Sequence, residues 1–371
     1  MAKIREIDFK SLHELIQGLN EREHCECTLK ENGKELFPIV KKDGTIVFTN
    51  RLNTALMLFT AYYYEASRMH ERLFLYLLVN QHIENGNGNG ARLVLNELDE
   101  VLQSHYFHTY LFPNDVDFYL DYQAEAMLAH EYAHHLYQLN PERLDKVIDE
   151  IRDIVLSSNP GGINGFFGKY CIMKVLKDRH LMEEVACDCY AMAFITERLK
   201  QTDEDNIYPE HVLRQIIRLF ISLRYLDEVQ PPHGIHLIKE IKKYTFDFMR
   251  AVIVSYQLNK DWDFITANLL REEVRQYRQN QQEARKQLFN KLKYHHIRNI
   301  KPSFSTATAK NELEQILQEI SEKEKWLTQE IRRSIAFRDY SYEANSYMAN
   351  PLLSNIFQSM LELNETLDDD D

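Results

Sequence analysis

The chain has 371 residues, and its shares of hydrophobic (44%) and charged (27%) residues are those of a globular protein, which excludes a disordered chain. The net charge is −13, and six of the acidic residues lie in the last ten positions. The rest therefore carries −7, which argues against nucleic acid as the main partner. No run of about 18 uncharged apolar residues and no signal peptide occur, so we expect no membrane span and a cytoplasmic location.

The first ninety residues predict an N-terminal unit (1–90) with a small sheet. A helix over about 10–20 precedes three strand-like stretches, CTL, ELFPIV and TIVFTN. The Asn-Gly and Asp-Gly turns between these stretches are typical of hairpins and predict a β-meander. Residues 51–84 have a helical pattern, and the repeated Asn-Gly of 85–90 predicts a connector that is not helical.

The middle of the chain, 91–260, predicts a mostly helical core. Its best strand candidate is the aromatic stretch HYFHTYLF (105–112), which we expect to align a peptide by main-chain pairing. The glycine-rich loop 157–169 predicts either an ordinary connector or a lid over a cleft. Helical patterns cover residues 91–104, 117–139, 142–157, about 170–200, 209–227 and 233–258.

The C-terminal part is more charged and predicts a helical extension over 261–361. Two long segments with apolar stripes flank the sequence KPSFSTATAK (301–310), which favours an antiparallel helical hairpin. The acidic tail, 362–371, is predicted to be disordered. The fold class is therefore α+β and predominantly helical, with a small sheet and a helical C-terminal extension.

The sequence LAHEYAHHLY (128–137) contains an H-E-x-x-H motif within a predicted helix. Residues four apart lie on the same face of a helix, so His130 and His134 are predicted to bind one metal ion together. Glu131 lies about 100° around the helix, near enough to reach a water molecule on that metal without being a ligand. This arrangement is typical of zinc metallopeptidases, with Glu131 as the general base.

A third ligand is predicted from the sequence MEEVACDCYAMAF, which starts at Met182. Glu184 and Asp188 are also four apart on a helix of small and apolar residues, where unpaired carboxylates would be costly to bury. We expect Glu184 to complete the zinc site and Asp188 to accept the free ring N–H of a ligand histidine. Glu183 and His180 are the alternative ligands.

The two motifs together resemble the gluzincins, zinc peptidases with a glutamate as third ligand. The sequence E-x-x-C-D-x-x-A that begins at Glu184 is similar to the E-x-x-A-D-x-x-A of membrane-embedded prenyl-protein and heat-shock proteases. Without predicted spans, the chain more closely resembles the soluble phage-exclusion peptidases of the Lit type, over about 117–200. The resemblance implies a zincin-type core and a cytoplasmic endopeptidase of bacterial antiviral defence, which acts on a host protein such as translation factor Tu.

Other chemically active residues have plainer interpretations. His180 and Tyr137 are further candidates for lining the pocket or stabilising the transition state, although packing suits Tyr137 better. His135 lies about 100° from His134, which favours a supporting or surface role over metal binding. Five cysteines without a secretion signal indicate reduced thiols; Cys25 and Cys27 share one face of a predicted strand, with only His24 nearby as a third ligand.

Two further functions remain open beside the zinc endopeptidase. In the first, the metal is structural and the C-terminal helices bind a partner, so that the chain is an interaction or regulatory protein. Three protein ligands with an adjacent glutamate argue against this reading, because structural zinc sites are closed by four ligands. In the second, the peptidase is silent until an activating partner docks on the long helices 262–340.

Overall fold

In a computed structural model, the protein is described over residues 4–31, 35–49, 51–64, 66–104, 118–157, 173–202, 207–223 and 308–347. The prediction of a mostly helical α+β fold with a small sheet is confirmed. Outside the described residues lie the strand candidate 105–112, nearly all of the glycine-rich loop, the helix predicted over 233–258, the first arm of the C-terminal hairpin and the acidic tail.

The predicted elements mostly lie within a few residues of their observed bounds. The helices whose bounds the structure gives are α1 (Phe9–Glu23), α2 (Leu52–Tyr64), α3 (Ala66–Glu84), α4 (Gly88–Ser104), α5 (Leu120–Leu139), α6 (Pro141–Ser157), α7 (Arg179–Gln201), α8 (Pro209–Leu223) and α9 (Thr308–Tyr347); residues 173–176 form a further helical turn. The strands are β1 (Ile4–Arg5), β2 (Thr28–Glu31), β3 (Ile39–Val40), β4 (Thr45–Phe48) and β5 (Phe118–Tyr119).

The sheet near the N-terminus is not the predicted meander. Its strand order is β2-β4-β3, with β2 parallel to β4 and β3 antiparallel to β4. The predicted Asp-Gly turn does join β3 to β4, and Gly44 there has a φ of +79°. The prediction failed at the first connection, because the most buried strand, β4, occupies the centre of the sheet and pairs with both of the others. As a result, β3 is an edge strand.

The connector predicted over 85–90 is shorter than expected, because α4 already begins at Gly88. Asn87 caps this helix: its side-chain oxygen accepts a hydrogen bond of 3.0 Å from the backbone N–H of Gly90. Asparagine is preferred at this capping position as well as in turns. The repeated Asn-Gly sequence was therefore consistent with either a turn or the start of a helix.

Helix α5 lies at the centre of the described part of the chain. Its buried residues cover almost its whole circumference, which is the pattern of a core helix. It packs against α1, α2, α6, α7 and α8 as well as the two sheets. The short parallel pair β1–β5 sets its N-terminal end, since Tyr119 of β5 immediately precedes it. At its other end Asn140 caps the next helix by accepting the backbone N–H of Arg143 at 3.1 Å.

The C-terminal helix α9 packs on α2 and α4 of the N-terminal half. Three positions of its predicted apolar stripe, Ile320, Leu327 and Ile331, are fully buried there. A buried ion pair joins the same surfaces, with Arg51 Nε 2.7 Å from Glu324 Oε1. In the described part of the chain no helix has the length and apolar character needed to cross a membrane.

Candidate metal centre

The contact between α5 and α7 brings the two sequence motifs together. The side chains that meet there are small, among them Ala133 of α5 with Ala186 and Cys187 of α7, so the helices approach closely. Asp178 caps the start of α7 by accepting the backbone N–H of Leu181 at 3.3 Å. The histidines of the first motif and the acidic residues of the second therefore face the same narrow space between α5 and α7.

Three donor groups converge on one point between these helices. The Nε2 atoms of His130 and His134 lie 3.2 Å apart. One carboxylate oxygen of Glu184 lies 3.4 Å from Nε2 of His130, and the other lies 3.6 Å from Nε2 of His134. The group could bind a metal ion. The predicted ligands are thus assembled across a sequence separation of fifty residues.

The spacing of these atoms fits a small divalent cation. Ligand atoms held tetrahedrally at about 2.0–2.1 Å from a cation lie about 3.3–3.4 Å from one another. The two Nε2 atoms are 3.2 Å apart, close to this value, and each faces a different oxygen of Glu184, at 3.4 Å for His130 and 3.6 Å for His134. The exposed fraction of the side chains rises from 11% at His130 to 18% at His134 and 28% at Glu184, so the centre opens to solvent on the glutamate side.

The outer nitrogen of each imidazole faces a carboxylate. Asp188 Oδ1 lies 3.0 Å from Nδ1 of His130, as the helical spacing predicted, and Asp188 is fully buried. The ring N–H does not point straight at this oxygen, so the contact is an ion-pair contact that a small ring rotation would turn into a hydrogen bond. Such carboxylates fix the orientation of ligand histidines and make the rings more basic.

Glu183 plays the same part for His134, which sequence reasoning missed. Its Oε1 lies 3.0 Å from Nδ1 of His134. Glu183 and Glu184 point about 100° apart around the helix, so only one of them was expected to face the site. The glutamate side chain is long enough to reach around the ring, and its partial exposure of 30% leaves it room to do so.

The carboxylates beside the Nδ1 atoms of His130 and His134 influence which side of the two rings is free to bind a cation. If both Nδ1 atoms carry the hydrogen, both Nε2 atoms present lone pairs to each other and to the carboxylate of Glu184. Burial by itself lowers the pKa of His130, but its contacts with Asp188 and Glu184 outweigh burial and raise the pKa to about 10. The arrangement therefore attracts a cation, either a proton or a metal ion.

Glu131 is held by the edge strand β3. Its Oε2 accepts a hydrogen bond of 2.9 Å from the backbone N–H of Val40. Burial raises the pKa of this carboxyl group, while His130 and His134 oppose the shift. The backbone N–H of Val40 thus fixes one carboxylate oxygen of Glu131 beside the rings of His130 and His134.

The remaining candidates lie elsewhere. His180 is exposed in the first turn of α7, one turn before Glu184. Tyr137 is buried in an apolar cluster with Leu144 and Ile148 of α6, consistent with packing.

The structure places Phe220 of α8 against His130, with the ring centroids 5.7 Å apart, and this residue carried no signal in the sequence beyond its helical pattern.

Comparison with known proteins gives no further assignment: no family model, no curated protein and no solved structure matches the chain.

Proposed function

We propose that the chain is a zinc-dependent endopeptidase of the gluzincin type, with His130, His134 and Glu184 as metal ligands. The observation that carries this proposal is the convergence of the two Nε2 atoms and the Glu184 carboxylate, with contacts of 3.2 to 3.6 Å between them. Two imidazoles with one carboxylate form the donor set of catalytic zinc, which keeps a fourth position open. The partial exposure of Glu184 leaves that position accessible to a substrate.

Glu131 is the general base in this proposal. When bound, zinc polarises the scissile carbonyl and makes water more acidic. Glu131 takes the proton from the attacking water and delivers it to the leaving amine. Burial raises its pKa, which makes the carboxylate a stronger base, and the N–H of Val40 orients it.

The outer edge of β3 is the proposed binding strand for an extended peptide. In the described part of the chain β3 pairs with β4 only, and its other edge faces Glu131 through the N–H of Val40. A peptide that lies along this edge would run past the general base, and it would bond to main-chain groups of β3 other than the N–H of Val40, which Glu131 accepts. The exposed side chain of Ile39 (50% exposed) offers an apolar contact to such a peptide. The strand predicted over 105–112 lies outside the described residues, and its proposed role in aligning a peptide stays a prediction.

The substrate class follows from the motif resemblance. The similarity of residues 117–200 to Lit-type peptidases extends the proposal to a cytosolic protein substrate, such as a translation factor, and to bacterial defence against phage. The negative charge of the chain agrees with a protein substrate and not with nucleic acid.

The alternative is an interaction or regulatory protein with a structural metal. In that reading, or in that of a peptidase with an activating partner, the C-terminal helices bind the partner. The apolar stripe of α9 is already buried against α2 and α4, so a partner would have to use the outer face of this helix.

Metal analysis of the purified full-length chain tests the ligand set. We expect the variant Glu184→Ala to contain one equivalent of zinc fewer than the wild type. The control Glu197→Ala changes an exposed glutamate of the same helix and should keep the wild-type content. Equal zinc content in Glu184→Ala and the wild type would remove Glu184 from the proposed site.

Turnover is tested with the variant Glu131→Gln, which keeps the metal ligands. We expect it to contain as much zinc as the wild type but to have lost activity. Proteome-wide mapping of new N-termini in cells that express either form would identify the cleaved protein. If the wild type and Glu131→Gln give the same N-termini, the chain is not a peptidase under those conditions, and the structural-metal reading gains.

A further inference from the structure

A second group of metal-binding side chains lies on another face of α5. The sulfur atoms of Cys25 and Cys27 and a ring nitrogen of His135 all lie within 4.8 Å of one another. All three residues are buried, with 5%, 4% and 6% of their surfaces exposed. His135 follows His134 directly but points about 100° away around the helix, so this group does not belong to the centre described above.

The backbone holds the two cysteines in place. They lie in the connection between α1 and β2, after His24, which adopts a left-handed conformation with φ of 51°. The side chain of Asn20 brackets Cys27: it accepts the backbone N–H at 2.9 Å and donates to the carbonyl oxygen at 2.8 Å. The segment is therefore ordered by contacts that do not involve the thiols.

His135 and a neighbouring hydroxyl have unmet polar atoms. Nδ1 of His135 is buried and has no hydrogen-bond partner in the described part of the chain. The hydroxyl oxygen of Tyr132 is also buried, and the groups around it are Tyr190 and the sulfur atoms of Cys25 and Cys27, which are weak acceptors. Buried polar atoms without partners are costly, and native proteins contain few of them. An ion held by the two thiols would give the ring nitrogen of His135 a partner.

The position of Gly44 shows how closely the imidazole is confined. A Cβ atom at this position would lie 2.7 Å from Nε2 of His135 and 2.7 Å from the carbonyl oxygen of Glu26. The ring is therefore enclosed on the side of its Nε2 atom. It cannot rotate far without moving the β3–β4 turn.

We propose that Cys25, Cys27 and His135 bind a thiophilic cation, Zn²⁺ or Cu⁺. Two thiolates and one imidazole are the soft donors that select these ions in proteins. Burial and the neighbouring Cys25 raise the pKa of the Cys27 thiol to about 12, so the ion must displace protons when it binds. The Tyr132 hydroxyl lies beside Cys25 and is the nearest candidate for a fourth contact.

The site would connect the two parts of the molecule that form the peptidase centre. Cys25 and Cys27 precede β2, and β2 belongs to the sheet whose edge strand holds Glu131. His135 belongs to the helix that carries His130 and His134. An ion bound to all three would fix the rotation of α5 relative to this sheet. The inference uses other donor atoms than the proposed function and does not depend on it.

Cobalt(II) titration of the reduced, metal-free full-length chain distinguishes the two sites. Thiolate-to-cobalt charge-transfer absorption arises only at a site with cysteine ligands, and His130, His134 and Glu184 contribute none. We expect this absorption to saturate at one equivalent per chain. It should persist in Glu184→Ala and in the control Cys189→Ser, which changes another buried cysteine, and it should be absent from Cys27→Ser.

A second measurement avoids cysteine variants, which could fail to fold. X-ray absorption of zinc-loaded Glu184→Ala should show a sulfur shell at about 2.3 Å. Two sulfur atoms per zinc support the proposal, and so does a sulfur shell seen only after loading with Cu⁺. Absence of both the cobalt charge-transfer absorption and a sulfur shell in chains with intact cysteines would overturn it. The same result would leave the zinc content predicted for the peptidase centre unaffected.

Discussion

Asp188 Oδ1 lies 3.0 Å from Nδ1 of His130, and both residues are buried between α5 and α7. The opposite nitrogen of the same ring faces His134 and Glu184 across 3.2 and 3.4 Å. The carboxylate of Asp188, the ring of His130 and the proposed metal position thus follow one another in a row. In the proposed zinc site, the tautomer and the orientation of His130 therefore depend on Asp188, which would not itself touch the metal.

Asp188→Asn should weaken zinc binding by about 10- to 100-fold, because the amide removes the negative charge that makes His130 a stronger ligand. Competition with a chromophoric chelator measures the affinity. Glu183→Gln is the matched control at His134, where we expect a smaller effect, since Glu183 is 30% exposed and Asp188 only 1%. Equal affinities of wild type and Asp188→Asn would show that the contact does not support the metal.

Glu324→Ala should reduce the free energy of unfolding by about 3–5 kcal/mol, because it leaves the guanidinium of Arg51 buried without its carboxylate. The side chains of this pair are only 6% and 7% exposed. Tyr76 also loses the acceptor of its hydroxyl, which lies 2.9 Å from Glu324. Urea unfolding followed by circular dichroism measures the change.

The control for this prediction is the adjacent residue Lys323, which lies 2.9 Å from Asp99 in a pair about one third exposed. Lys323→Ala should cost no more than about 1 kcal/mol. If Glu324→Ala is as mild as Lys323→Ala, the buried pair does not hold α9 on the N-terminal helices.

The position of His130 beside His134 could be predicted because it is local. His130 and His134 belong to one helix, and the helical repeat alone places them side by side. Glu184 needed a second argument, the cost of burying two carboxylates four residues apart, which also identified Asp188. Glu183 was missed because a helical wheel describes where a side chain starts and not how far a glutamate reaches.

Contacts that depend on tertiary packing could not be predicted in the same way. Cys25 and Cys27 were expected to share a face, but nothing in the sequence indicates that His135, more than a hundred residues later, meets them. The parallel pairing of β2 with β4 is similar, since the turn signals between neighbouring strands favour hairpins. Because β2 and β3 lie on opposite sides of β4, β3 is an edge strand, and the N–H of its Val40 is free to bind Glu131.

Gly44→Ala should destabilise the protein by about 1–3 kcal/mol, because its positive φ is strained for any residue with a Cβ atom. The added atom would also lie 2.7 Å from the carbonyl oxygen of Glu26 and from Nε2 of His135. Gly18→Ala is the contrasting control. Gly18 is an exposed residue of α1, and a Cβ atom added to it would meet no other atom within 4 Å, so alanine there should stabilise the helix by about 0.5–1 kcal/mol. Thermal unfolding of both variants checks the opposite signs.

Glu125→Gln should become more stabilising as the pH rises. Burial raises the pKa of Glu125 from 4.5 to about 7, with Arg198 opposing the shift from 3.1 Å. Because the folded state holds the proton more tightly than the unfolded state, the wild type loses stability as the pH rises from about 4.5 through about 7. Glutamine has no proton to lose. The difference between the variant and the wild type should therefore move in favour of glutamine by up to about 3 kcal/mol between about pH 4 and pH 8.

Urea unfolding at several pH values, with metal-saturated protein throughout, measures this difference for Glu125. The control Glu197→Gln changes an exposed glutamate of α7, 58% exposed and 3.1 Å from Arg22. Its effect should stay within about 1 kcal/mol at every pH. A gap between Glu125→Gln and the wild type that does not change with pH would mean that Glu125 is ionised as easily in the folded chain as in the unfolded one. Its burial beside Arg198 would then carry no electrostatic cost.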